Sequence, residues 1–137
     1  MIIKQSIVEA KFQRAKLATE HTFLWKELPI KYKSTLEGII SFERNEHPII
    51  CFYESADYLW IITDIKLIII ENGMIGKYSY SGINKIELSD LLKGGSTKTN
   101  NRSLTIRLAD DSSFKIRTEE KTWPAIYNIL RFIVNAS

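Results

Sequence analysis

Residues 48–73 read PIICFYESADYLWIITDIKLIIIENG, and the punctuation of this stretch decides the fold. Ile49-Ile50-Cys51-Phe52-Tyr53 is a β-branched and aromatic run that stops at the polar Glu54-Ser55-Ala56-Asp57. Tyr58-Leu59-Trp60-Ile61-Ile62 is a second run, with Thr63-Asp64 as its turn. Leu67-Ile68-Ile69-Ile70 is a third, stopped by Asn72-Gly73, a strong two-residue hairpin signal. The runs are too short and too closely interrupted for helices, and their side chains suit a pleated surface.

Toward the C-terminus, Met74 to Tyr80 and Lys85 to Leu88 read as a fourth and a fifth strand. Leu104, Ile106 and Leu108 alternate with Thr105 and Arg107. Beyond the Asp110-Asp111-Ser112 turn, Phe114 and Ile116 alternate with Lys115 and Arg117, completing seven strands. Thr122 is placed to cap a closing helix that has Pro124 in its first turn. Trp123, Ile126, Tyr127, Leu130, Ile133 and Val134 repeat at i, i+3, i+4, i+7, i+10 and i+11. A stripe that wide must cover something, and the open end of a strongly bent sheet is the natural target.

Toward the N-terminus the period becomes helical. Ser6-Ile7-Val8-Glu9 fits a capping box, and Val8, Phe12, Ala15 and Thr19 follow helical spacing. Thr22 to Leu28 adds a turn or two before Pro29 discourages continuation. Ser34-Thr35-Leu36-Glu37 fits a second capping box, heading a helix that would bury Leu36, Ile39 and Ile40. No Gly- or Ser-rich linker intervenes, so residues 1–45 read as a helical extension of one domain covering 1–137. The fold class expected is α+β, mainly antiparallel β.

The chain of 137 residues is 45% hydrophobic and 26% charged, which suits one folded domain and excludes disorder or a disulfide scaffold. A lone Cys51 forms no internal bridge, so nothing points to an oxidising compartment. Residues 1–10 have no apolar stretch of signal-peptide length. Leu59 to Ile70, the most apolar stretch, is interrupted by Asp64 and Lys66 and is too short to cross a bilayer of about 30 Å as a helix. A cytoplasmic location is expected. A net charge of +3 is too small to argue for nucleic acid. Residues 46–90 hold three basic and seven acidic groups, an acidic middle between two mildly basic ends. Solvated surface and attraction between packed segments explain that distribution.

Seven short strands followed by one amphipathic helix is the element order of the pleckstrin-homology-like (PH-like) barrel. Ile62-Thr63-Asp64-Ile65-Lys66-Leu67-Ile68 resembles the T-D-x-R-L-I stretch of bacterial PH-like domains. Tyr78-Ser79-Tyr80-Ser81-Gly82-Ile83-Asn84-Lys85-Ile86-Glu87 resembles their Y-S-Y-x-x-I-x-x-I-E stretch. The resemblance covers residues 47–135, a bent seven-stranded barrel or sandwich closed by the C-terminal helix, and leaves the first third unmatched. Lys66 stands where that family usually has arginine, exchanging a planar fork for a point charge. The resemblance implies a scaffold for binding or assembly without catalysis, sometimes associated in rings or other oligomers. Phosphoinositide-binding members carry Lys and Arg around the first hairpin. Here that hairpin is Glu54-Ser55-Ala56-Asp57, which would repel a phosphorylated headgroup.

Other groupings carry little chemistry. Leu92 to Thr99 looks like a phosphate loop, but Thr97 rather than Gly precedes Lys98-Thr99, and Asn100-Asn101 leads into a strand rather than a helix. What remains is a loop in which Lys93, Lys98 and Arg102 could contact an anion or an acidic partner, set against a plain solvated hairpin loop. His21 and His47 have no metal spacing; His47, beside Pro48, fits a turn. Cys51 reads as a buried thiol, Asp110-Asp111 as a turn, and Glu119-Glu120 as negative charge near the start of the final helix. Trp25, Trp60 and Trp123 read as core rather than as a ligand pocket. No catalytic, metal or cofactor site is expected. The leading reading is a non-catalytic interaction or assembly module that binds a protein partner or itself. Peripheral membrane or anionic-ligand binding through the basic segments is the second reading, and a small-ligand pocket in the barrel the third.

Overall fold

The structure, a computed structural model, describes residues 4–88 and 103–137. The elements are α1 (Gln5–Arg14), β1 (Thr22–Leu24), a 3-10 turn (Trp25–Glu27) and α2 (Ile30–Ile39), then β2 (Pro48–Ser55), β3 (Tyr58–Thr63), β4 (Lys66–Glu71) and β5 (Met74–Ser79). A second 3-10 turn (Tyr80–Gly82) leads to β6 (Ile83–Leu88), β7 (Ser103–Leu108), β8 (Ser113–Arg117) and α3 (Trp123–Asn135). Strands β1-β2-β3-β4-β5 make one antiparallel sheet and β6-β7-β8 a second. The protein is thus α+β, with two antiparallel sheets and a C-terminal helix.

Several expectations are corrected. Eight strands form among the described residues, not seven, and of the barrel or sandwich expected their ladders form no closed barrel but two separate sheets. The added strand is β1, whose residues read as helical. Thr22, Phe23 and Leu24 pair instead with Phe52, Cys51 and Ile50, because the flank of β2 offers backbone partners that outweigh a weak local preference. Helix α1 starts at Gln5 with Lys4 before it, so Ser6 lies inside the first turn, and Glu9 takes its hydrogen bond from the Gln5 amide. It ends at Arg14, before Thr19. Helix α2 starts directly after Pro29, whose fixed φ suits a helix entry, so Ser34 to Glu37 fall mid-helix. Leu36 and Ile40 are buried, but Ile39 is 40% exposed. Thr122 donates its hydroxyl to the Glu119 carbonyl and makes no cap on α3.

The five-stranded sheet is covered on both faces. Phe52, Trp60, Ile62, Leu67 and Ile69 face inward, onto Leu104, Ile106 and Ile116 of the second sheet and Ile126, Ile129, Leu130 and Ile133 of α3. Cys51, Leu59, Ile61, Ile68 and Ile70 face outward, onto Leu28, Leu36 and Ile40, with Tyr32 and Phe42 packed alongside. Double coverage is why β3 and β4 read as unbroken apolar runs, whereas β7 and β8 alternate. Each fully buried Leu or Ile contributes roughly 1.5–3 kcal/mol. Side chains also tie the sheets together. The Trp60 indole N–H donates to the Arg117 carbonyl at 2.7 Å, and the Tyr58 hydroxyl accepts from the Arg117 amide at 2.7 Å.

Candidate functional site

Lys93, Lys98 and Arg102, with the loop Leu92 to Thr99, lie outside the described residues. The remaining residues that carry chemistry are dispersed. Cys51 is fully buried between the sheet and the layer formed by residues 22–42, and burial pushes its thiol far up, out of the range of a nucleophile. Asp110 accepts from the Ser112 amide at 3.0 Å and from its hydroxyl at 2.5 Å, which serves the turn and holds the carboxyl below its usual range. Trp60 and Trp123 are core, while the half-buried Trp25 packs edge-on against Phe42 at 5.6 Å.

The Thr63-to-Lys66 turn organises a buried polar network. Glu46 is fully buried; its carboxylate accepts from the Thr63 hydroxyl at 2.7 Å and the Glu43 amide at 3.0 Å, and lies 3.2 Å from the Lys66 ammonium. Lys66 pairs with Glu43 as well. Asp64 accepts from the His47 amide at 2.8 Å and from its Nδ1 at 2.9 Å, while the Asp64 amide donates back to the His47 carbonyl. The Tyr80 hydroxyl shares its hydrogen between the Thr63 and Lys66 carbonyls, at 2.6 and 2.8 Å. Every group named has its partner, so the network locks residues 43–47 to the β3–β4 turn. Its chemistry is that of a clamp.

The sheet edges differ from one another. β1 is only three residues long, β6 has α3 packed beside it, and β8 carries the exposed charges of Lys115 and Arg117. Short length, cover and charge are the usual ways of blunting an edge. β5 is the least blunted: it is six residues long and carries a single charged residue, the exposed Lys77, whose ammonium lies 3.4 Å from the Ser41 carbonyl. Met74 is 77% exposed and Ile75 is 44% exposed. Asn72 and Gly73 both adopt positive φ, 53° and 79°, as a two-residue hairpin requires. The closing pair Glu71–Met74 then exchanges both hydrogen bonds, so the backbone groups of Met74, Gly76 and Tyr78 face β4. Those of Ile75, Lys77 and Ser79 face outward, where no strand pairs among the described residues. Beside this edge lies a cleft of about 370 Å³, walled by Ile69, Tyr78 and Phe114, the last two stacked at 4.3 Å.

Sequence reading identified the β4–β5 turn but not the edge. The signal available was Met74-Ile75 directly after Asn72-Gly73, apolar residues on a strand with a single charge. Comparison with models of known protein families, with curated proteins and with solved structures finds no match to this chain. Among the described residues no helix is long and apolar enough to cross a membrane, and no three His, Cys, Asp or Glu side chains gather closely enough to hold a metal ion.

Proposed function

We propose that this chain is a non-catalytic, PH-like assembly module in which a second copy adds its β5 to the outward edge of β5. The observation that carries the reading is the least blunted edge itself: three outward backbone positions flanked by the exposed Met74 and Ile75. About a two-fold axis at Gly76, Met74 of one copy faces Tyr78 of the other and Ile75 faces Lys77. This register keeps the lysines apart and puts Gly76 at the axis, where the Tyr78 ring of the same copy already lies over it.

Membrane contact through the N-terminal helix has less support, because α1 spends Val8 and Phe12 on the core and retains Ile7 as its exposed apolar residue. A pocket inside the sandwich has less support too, since Trp60, Leu104, Ile106 and Leu130 fill that space.

Sedimentation velocity over a concentration series tests the proposal. The chain is expected to sediment as a dimer that dissociates on dilution. The double substitution Met74→Lys with Ile75→Lys, at two exposed positions, is expected to give a monomer with an unchanged melting temperature. A wild-type chain that remains monomeric at about 1 mM, where an association of about −4 kcal/mol would be half complete, contradicts it.

A further inference from the structure

On β5, Met74 lies opposite Glu71 of β4, Gly76 opposite Ile69 and Tyr78 opposite Leu67. Leu67 and Ile69 belong to the inner core, whereas Ile70, opposite Ile75, belongs to the outer one. Met74, Gly76 and Tyr78 therefore share the inner face, since residues two apart on a strand point the same way. Tyr78 does not stand upright on that face. A Cβ placed on Gly76 would lie 2.8 Å from Cε2 and Oη of the Tyr78 ring, well inside van der Waals contact, so the ring leans along β5 over the glycine. Phe114 of β8 stacks on it at 4.3 Å, with the ring planes 26° apart.

Held between glycine and phenylalanine, the Tyr78 ring forms part of the wall of the cleft of about 370 Å³ that opens beside β5. The chain's own side chains leave this cleft open. Tyr78 and Phe114 are only half-buried. Met74 of the same copy also lines the cleft but is 77% exposed, so it does not fill it. Four residues separate Met74 from Tyr78, about 13 Å of strand, which puts the stack beyond its reach.

We infer that Met74 of a second copy fills this cleft, its thioether set against the Tyr78–Phe114 stack. The inference rests on the β5 pairing proposed above. In that register the hydrogen bonds between copies run through Ile75 and Lys77, so Met74 and Tyr78 of opposite copies form a pair without them. Such pairs hold their Cα atoms about 4.5 Å apart, the closer of the two antiparallel spacings. Both side chains point to the inner face of the continuous sheet. An unbranched, polarizable thioether suits an irregular gap beside aromatic rings. The two-fold axis repeats the contact, so the interface takes in Phe114 of both second sheets. Phe114, which lies off the paired strand, is then a specificity-determining residue. Backbone pairing alone accepts many sequences, and the cleft selects the one that brings methionine opposite Tyr78.

The chain has two methionines, Met1 and Met74, so isotope labelling of the methionine methyl groups gives signals that Met74→Leu assigns. Labelled and unlabelled whole chains are mixed at about 1 mM, and isotope-filtered NOE spectroscopy then reads contacts between copies alone. Cross-peaks from the Met74 methyl to the ring hydrogens of Tyr78 and Phe114 are expected. Phe114→Leu keeps an apolar side chain and removes the ring. It is expected to weaken the dimer about three-fold or more in sedimentation, while the Ile75 and Lys77 amides still exchange more slowly in the concentrated sample. The cross-peaks need no substitution and decide the matter if Phe114→Leu does not fold. A dimer that slows those two amides but gives no cross-peak to either ring overturns this inference and leaves the β5 pairing standing. So does a folded Phe114→Leu chain that dimerises as tightly as the wild type. A chain that stays monomeric, or dimerises without slowing those amides, removes both.

Discussion

Lys66 shows how much a single side chain settles here. Burial pulls its ammonium toward the neutral form, but the hydrogen bonds and charges of Glu43 and Glu46 outweigh that and hold its pKa above the ordinary 10.5. Glu43 moves the other way, held below 4.5 by its hydrogen bond to Lys66 and that residue's charge. The Glu43 contribution to stability is therefore complete above pH 4.5 and fades as pH falls through its folded pKa. The Lys66 contribution is complete below pH 10.5 and fades as pH rises beyond its own. Urea midpoints should stay level between those limits as far as this pair is concerned. Lys66→Met leaves the Glu46 carboxylate buried without its cation and is expected to lower stability by about 3 kcal/mol at pH 7 and to flatten the acid limb. A midpoint that Lys66→Met leaves unmoved would refute the clamp. In the sequence Lys66 stood out as a charge interrupting an apolar stretch and as a departure from the arginine of the family the stretch resembles. Its partners Glu43 and Glu46 sit in an irregular segment with no period, so nothing local joined them to it.

At the scale of elements, legibility followed period. β2, β3 and β4 were readable because polar turns bracket each run, and β7, β8 and α3 because their apolar residues recur with a fixed spacing. β1 was not, since three residues carry no period and its identity comes from the neighbouring β2. The unbroken runs of β3 and β4 held a further message: a strand apolar on both faces needs two covers, and α3 can supply only one. The second cover is the N-terminal segment, with Leu36 of α2 fully buried in it. Leu36→Ala is expected to cost about 3 kcal/mol in chemical denaturation, and Ile39→Ala, on the exposed face, under about 0.5 kcal/mol. Equal costs at the two positions would mean that α2 does not seat as described. The capping boxes misled because Ser, Thr and Glu are also tolerated inside helices, and Pro29, beyond the 3-10 turn that ends at Glu27, also serves as the start of α2.

Across the whole molecule, two cores share one sheet, and its β5 edge is left open. The apolar interior was legible from composition and alternation, and so was the helix that covers it. The open edge was not: it emerges only when cover is compared strand by strand, just as the Glu119 carboxylate meets the Glu20 amide 99 positions away only once the chain has folded. An assembly built on β5 should leave its mark on the amides that point outward. The direct measurement is hydrogen–deuterium exchange of Ile75 and Lys77 at high and low protein concentration. Slower exchange at these two amides in the concentrated sample, with Met74, Gly76 and Tyr78 protected in both, is the predicted result. Exchange at Ile75 and Lys77 that is equally fast at both concentrations would contradict it.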